Sequence, residues 1–338
     1  MRKSFLASIS ALVATIAVVW LAPVPVAGQA PTAAAAATAT KNWKSPRTAW
    51  GDPDLQGQWN SQTSTPLERP LEGALAGKVE ISEEEAETLE ATNRASIDEA
   101  PRRGDTGTYN AFWRDYGKSL KRTSLIVDPP DGRIPPLTPE AQKRIAAERA
   151  ERATRGPNNS PDTYEDLSLW TRCITRGWSP IGSFYSSNYQ IFQIPGYVVI
   201  LRELIHEPRI IPLDGRPHLP QNVPQLLGDS RGHWEGNTLV VDTTNFDSRT
   251  DFQGSRDTLH LIERYTRVGP DTIDYQFTVD DPATFTKPWT VVLPMRKIPG
   301  PIFEYACHEG NYGMVGILSG ARAQEKAAEG GKIESSGR

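Results

Sequence analysis

Leu259–Asp280 reads LHLIERYTRVGPDTIDYQFTVD, and its alternation decides the fold. Leu259, Leu261, Glu263, Tyr265 and Arg267 fall on one face, and His260, Ile262, Arg264, Thr266 and Val268 on the other. Successive side chains of an extended chain point to opposite sides, so a sustained period of two marks a half-buried strand. Gly269-Pro270-Asp271 turns the chain, and Ile273, Tyr275, Phe277 and Val279 resume the alternation. The stretch predicts two antiparallel strands joined by a tight turn.

The flanking sequence repeats the theme. Tyr189–Ile194, Tyr197–Leu204, Arg209–Leu213, Asn237–Thr243, Trp289–Met295 and Phe303–Cys307 are short apolar or β-branched runs separated by Pro and Gly. Together with the hairpin they make eight short strands, most joined by short turns. That spacing predicts a mainly β fold, an antiparallel meander closing into a barrel, with a β-sandwich as the alternative. Content of 28 Pro and 27 Gly in 338 residues suits so many turns. Leu55–Ser61 and Arg122–Val127 are also strand-like. Ser82-Glu83-Glu84-Glu85 is a capping box that opens a helix to about Ile97. Thr138-Pro139-Glu140 opens another through Arg152, stopped by Gly156-Pro157 and charged on its outer face. Residues of about 80–155 are therefore a helical segment, either a lid on the barrel or a separate packing layer. Neither βαβ alternation nor a G-x-G-x-x-G turn occurs, so a nucleotide-binding α/β fold is not expected, and no cofactor is implied.

Met1–Ala30 carries Arg2 and Lys3, an uncharged apolar run from Phe5 to Leu21, and a small-residue exit at Gly28-Gln29-Ala30. This is the three-part form of a secretory signal peptide, with an uncleaved N-terminal anchor as the alternative. Residues 31–45, with alanines at 33–37, read as a flexible linker, 46–320 as one barrel-type domain and 321–338 as a disordered tail. After the leader no run reaches the roughly 20 apolar residues of a membrane helix. The expectation is a secreted or periplasmic protein. Charged residues number 37 basic and 41 acidic; without Arg2 and Lys3 the net charge falls from −4 to −6. That balance argues against nucleic acid and anionic lipid as partners. Cys173 and Cys307 are the two cysteines. In an oxidising compartment they would form a disulfide; the other reading is two buried free thiols.

Gly57-Gln58-Trp59, on the first strand after the leader, resembles the Gly-x-Trp start of lipocalin-like (calycin) barrels. The resemblance implies that the Trp plugs the closed end of the barrel with an Arg packed across it. Gly232-His233-Trp234 has the same form and precedes a strand. Longer stretches, at Trp50–Leu55, Pro212–His218, Trp234–Leu239 and Tyr305–Tyr312, resemble a family of uncharacterised secreted bacterial proteins. That likeness spans most of the mature chain and implies no activity.

Candidate chemistry lies in three polar clusters. In Cys307-His308-Glu309-Gly310-Asn311, at a strand end, His308 could act as a general base with Glu309 fixing its tautomer and Asn311 beside it. In Asp214-Gly215-Arg216-Pro217-His218, Arg216 could clamp an anion and His218 move a proton, or Asp214 and Arg216 could simply pair in a rigid turn. His206-Glu207 follows a strand and could share the same rim. Tyr305 and Trp289 belong to an aromatic set that either fills the barrel or walls a ligand cavity. No metal is expected: H-E-x-x-H fails at both His-Glu pairs, where Tyr312 and Ile210 stand. G-x-S-x-G is absent, and Asp280-Asp281 with Glu263 could pair carboxylates for glycoside cleavage or simply form a turn before Pro282. The sequence thus points to an exported barrel binding a small amphipathic or aromatic molecule. The alternatives are a cofactor-independent isomerase, lyase or hydrolase using His308 or His218, and a structural envelope protein with a filled barrel.

Overall fold

The computed structural model describes residues 43–99, 114–154, 160–181 and 185–336, with the backbone alone for His206 and residues 330–336. The expected signal peptide lies outside the described residues. Within them, β1 spans Gly57–Asn60, β2 Ile126–Asp128, β3 Asn188–Ile194, β4 Tyr197–Arg202, β5 Pro208–Pro212 and β6 Asp229–Glu235. These are followed by β7 (Thr238–Thr244), β8 (His260–Gly269), β9 (Thr272–Asp280), β10 (Trp289–Val292) and β11 (Met295–Lys297). The helices are α1 (Glu83–Asp98), α2 (Pro139–Thr154) and α3 (Tyr312–Ser336).

The hairpin read from sequence is β8–β9, with Leu261 opposite Val279, Glu263 opposite Phe277 and Tyr265 opposite Tyr275. Leu261, Glu263 and Tyr265 on β8 and Ile273, Tyr275, Phe277 and Val279 on β9 are all buried, so the predicted apolar face is the interior. The main ladder runs β5-β4-β3-β1-β11-β9-β8-β7-β6, and every pairing in it is antiparallel. β10 adds to β9 and carries β2 on its other edge. From β3 to β5 and from β6 to β10, chain neighbours are sheet neighbours, and β11 pairs with β1 to bring the meander round on itself. The sheet is nearly closed into a barrel, with one unsealed seam between its two end strands, β5 and β6.

Side chains bridge that seam. Ile211 of β5 is fully buried, and a Cβ on Gly232 of β6 would come within 2.8 Å of Ile211 Cγ2 and 2.6 Å of Leu213 Cδ2. Gly232 therefore lets the β5 side of the seam pack against β6 where no ladder holds them together. Gly232-His233-Trp234 lies inside β6, directly ahead of the expected strand, β7.

At the other side of the sheet, Trp59 is fully buried and donates from Nε1 to the Leu55 carbonyl at 3.0 Å. The Arg267 guanidinium lies 5.6 Å from the Trp59 ring centroid and donates to the Asp54 carbonyl at 3.1 Å. Trp289 is fully buried among Phe252, Phe277 and Phe285, with ring centroids 5.8–6.3 Å apart. Removing each such side chain from water contributes about 1.5–3 kcal/mol.

Within the helical segment, α2 is fastened to the loop between β7 and β8. The Ser82 capping box forms as predicted. On α2, Glu148 takes a two-pronged ion pair from Arg256 at 2.8 and 2.9 Å, and Arg144 donates to the Gly254 carbonyl at 2.7 Å. Cys173 and Cys307 sit at disulfide distance, with Cα atoms 5.7 Å apart.

Three expectations need correction. Phe303–Cys307 forms no strand; Phe303 is 75% exposed, and alternation alone did not supply a partner edge. β6 escaped prediction because its sequence, DSRGHWE, holds no β-branched residue and one large apolar one. Residues 321–336 are the second half of α3, not a disordered tail. Ala, Arg, Gln, Glu and Lys there are strong helix formers. Arg322 ties the helix down through the Pro161 and Asp162 carbonyls at 2.8 and 2.6 Å.

Candidate functional site

The inward faces of β3, β4, β5, β8 and β9 meet around a small cavity of about 50 Å³ that opens to solvent at its mouth. Its apolar wall includes Trp178, Tyr189, Ile200, Ile205 and Met295; Arg176, Arg202, Arg209, Glu207 and Glu263 bring charge to it. No described residue of the 80–155 segment lines it. The stretch 175–180, which follows Cys173, forms part of the wall. Pro180 accepts from Ser61 Oγ at 3.1 Å and Ser179 from Arg202 Nη1 at 2.7 Å, so the stretch is fastened to both β1 and β4. Ile205, also on the wall, is buried with φ at 64°, a left-handed conformation costly for a β-branched residue. Strain of this kind concentrates at functional surfaces.

Period two on β8 puts Glu263 inside the barrel, where it is fully buried. Arg209 on β5 reaches it at 2.5 and 3.0 Å. Tyr265 and Tyr275 each donate a hydroxyl to the same carboxylate oxygen at 2.8 Å, and Trp178 Nε1 approaches it at 3.3 Å. Arg209 also donates to Ser230 Oγ on β6 and Thr243 Oγ1 on β7, at 3.1 and 3.3 Å. Burial pushes the Glu263 carboxyl up, but the Arg209 charge and the donated hydrogen bonds outweigh it and hold the group below its usual range. Burial, reinforced by the Glu263 charge, drives both tyrosine hydroxyls well above theirs. Glu263 is a saturated acceptor that stays ionised, and it orients the wall instead of exchanging protons.

Of the polar residues singled out in the sequence, Glu207 and Glu263 alone among the described side chains line this cavity, together with Trp178 and Tyr189 of the aromatic set. His308 and Glu309 are exposed in the turn before α3. Asn311 caps that helix, its Oδ1 accepting from the Met314 amide at 3.3 Å, and donates to the Thr171 carbonyl at 3.0 Å. Tyr305 comes nearest, stacked on Tyr185 at 6.2 Å and packed against Leu204 and Ile205. Trp289 belongs to the filled core. Asp214 and Arg216 pair with each other in an exposed turn, and Arg216 also reaches the Tyr197 hydroxyl at 3.1 Å, which matches the rigid-turn reading. The His206 side chain lies outside the described residues. Glu263 and Asp280 occupy opposite faces of the hairpin, and Asp281 is buried accepting from the Ala283 and Thr284 amides, so the carboxylates weighed for glycoside cleavage are not brought together.

His218 sits elsewhere, on the outer face. Its Nδ1 meets Asp229 Oδ2 at 3.0 Å and its Nε2 meets Asp242 Oδ1 at 2.9 Å. Asp242 Oδ2 continues to His260 Nε2 at 2.7 Å, and His260 Nδ1 lies 3.8 Å from Asp280. This alternating row of carboxylates and imidazoles runs across β6, β7, β8 and β9. Leu219 N donates to Asp229 at 2.8 Å, so the row also pins the loop that carries His218. Among the described residues no group of His, Cys, Asp and Glu has the arrangement of a metal centre. Sequence reasoning missed Arg209, Arg202 and Arg176; the only available signal was an Arg opening the run Arg209–Leu213 and another inside Tyr197–Leu204. No protein-family model, curated protein or solved structure matched the chain.

Proposed function

We propose that the protein is an exported binding protein that holds one small amphipathic or aromatic molecule in the barrel cavity. The observation that carries this reading is the wall of the cavity, which opens to solvent and combines Trp178, three tyrosines and aliphatic side chains with a few convergent charged groups. That composition fits a small-molecule site, mostly apolar with a few polar groups to orient a ligand. Cys173 and Cys307 at disulfide distance agree with an oxidising compartment. No helix among the described residues is long and apolar enough to cross a membrane. Acid–base catalysis has less support, since no described histidine lines the cavity and Glu263 is fully engaged.

A thermal-shift screen against lipophilic and aromatic metabolites tests the reading. A ligand at a hundredfold excess over its dissociation constant stabilises by about 2.7 kcal/mol, a shift easily read. Leu227, half-buried on the cavity wall, can be enlarged to block the space. Hits that stabilise the protein and vanish in Leu227→Trp are expected. A screen without hits, or hits that persist undiminished in the blocked variant, would count against the cavity as the binding site.

A further inference from the structure

We infer that the polar end of this cavity is an anion site, and that its occupant is a monocarboxylate with an apolar or aromatic body. The inference rests on the reading of the cavity as a ligand site. Of the three arginines on the wall, Arg209 is neutralised by Glu263 at 2.5 Å. Arg176 and Arg202 have no carboxylate partner within ion-pair distance among the described residues.

Their hydrogen bonding is also incomplete. Arg202 spends Nη1 on the Ser179 carbonyl at 2.7 Å, while Nε and Nη2 are shielded from solvent and meet no acceptor. Arg176 lays its guanidinium over the Trp170 ring at 3.9 Å, and its Nη1 is likewise shielded and without an acceptor. Buried donors are rarely left unpaired in native proteins, and each orphan calls for an explanation.

Nε and Nη2 form one edge of a guanidinium, two parallel N–H groups spaced to meet both oxygens of a carboxylate. The orphaned edge of Arg202 therefore matches a carboxylate side-on, and Arg176 Nη1 supplies a third donor. Burial and the neighbouring Arg202 charge both depress the Arg176 pKa, so the two cations sit close enough to repel. An anion between them relieves that repulsion. The rest of the wall is mostly apolar, with Trp178, Tyr189, Ile200 and Met295 suited to the body of the ligand and not to a polyanion.

Matched probes separate this inference from the reading beneath it. Calorimetric titration of the full chain would compare 4-phenylbutyrate with 4-phenylbutyramide, and indole-3-propionate with its amide. Each pair keeps the body and removes only the charge. The acids are expected to bind about 10- to 100-fold more tightly than the amides, the range for charge-assisted hydrogen bonds. Arg202→Gln should erase most of that preference, and Arg202→Lys, which keeps the charge but lacks the fork, should restore only part of it. Equal binding of acid and amide would overturn the anion site and leave the ligand cavity standing. Failure of both members of both pairs to bind would overturn the two together. A preference that survives in the Arg176→Gln/Arg202→Gln double variant would place the carboxylate elsewhere and sink the assignment. The acid–amide contrast on the unsubstituted protein decides the matter even if a variant does not fold.

Discussion

The β8–β9 hairpin and the β5–β6 seam solve the same problem, holding two strands side by side, by different physics. The hairpin has a ladder in one register from His260–Asp280 to Arg267–Ile273, then a one-residue bulge before Gly269–Thr272 and a two-residue turn. Its partners are near in sequence, so little loop entropy opposes pairing. The seam has no ladder. What crosses it is Arg209, which links β5 to Ser230, Thr243 and Glu263, together with Ile211 and Leu213 against Gly232. A ladder spreads its stability over many backbone bonds, each worth about 1 kcal/mol net. A seam concentrates it in a few side chains, and losing one should cost far more.

The largest effect is therefore expected at Glu263. Glu263→Ala would leave the buried Arg209 charge without its partner and two tyrosine hydroxyls without their acceptor. Removing one member of a buried ion pair costs about 3–5 kcal/mol. Urea unfolding would read the loss, and Arg209→Met/Glu263→Leu should recover much of it by removing both charges together. A loss under about 1 kcal/mol in Glu263→Ala would mean that the seam does not depend on the pair.

Next in size is Gly232→Val. The added Cβ alone would lie within 2.8 Å of atoms from Ile211 and Leu213, and overpacking of this kind costs about 1–3 kcal/mol. Combining it with Leu213→Ala should give back part of the loss, because residues in contact couple non-additively. Strict additivity in that double variant would show that β5 and β6 do not press on each other across the seam.

The same contrast explains what could be read from sequence. The hairpin, the barrel class and the Gly57-Gln58-Trp59 strand were legible because alternation, turns and caps are local signals. β6 was not, because Asp229–Glu235 faces the interior with Ser230 and Gly232, which suit the seam but carry no strand signature. The cavity charges were not legible as a set either. Arg209 and Glu263 stand 54 residues apart on β5 and β8, and only closure of the barrel makes them neighbours. Histidines, the usual proton carriers, mark candidate sites in the sequence. The fold instead sends His218 and His260 to the outer face, leaves His308 in an exposed turn and draws arginines inward.

The smallest effect is expected on that outer face, where the ladder already fixes β7, β8 and β9 and the His260–Asp242 pair only adds to it. His260 is raised above its ordinary pKa first by its hydrogen bond to Asp242, against the opposing effect of burial, with Asp280 adding to the rise. Asp242 is raised by burial but lowered further by His260 and His218, and the net direction is down. A raised imidazole stabilises fully below its unfolded pKa of about 6.5 and loses that contribution as pH climbs through the folded value. A lowered carboxylate stabilises above its unfolded pKa of about 4 and loses its contribution as pH falls through the folded one. Both contributions are present together from about pH 4 to about pH 6.5. His260→Gln should therefore cost most near pH 5.5, and the gap to the unsubstituted protein should narrow at pH 8.5. Both side chains are more than a third exposed, so solvent screening keeps the effect well below that of Glu263→Ala. Urea midpoints of the two proteins at pH 5.5 and 8.5 would show it; a gap that widened at pH 8.5 would reverse the sign and mean that His260 acts as a neutral donor in the row.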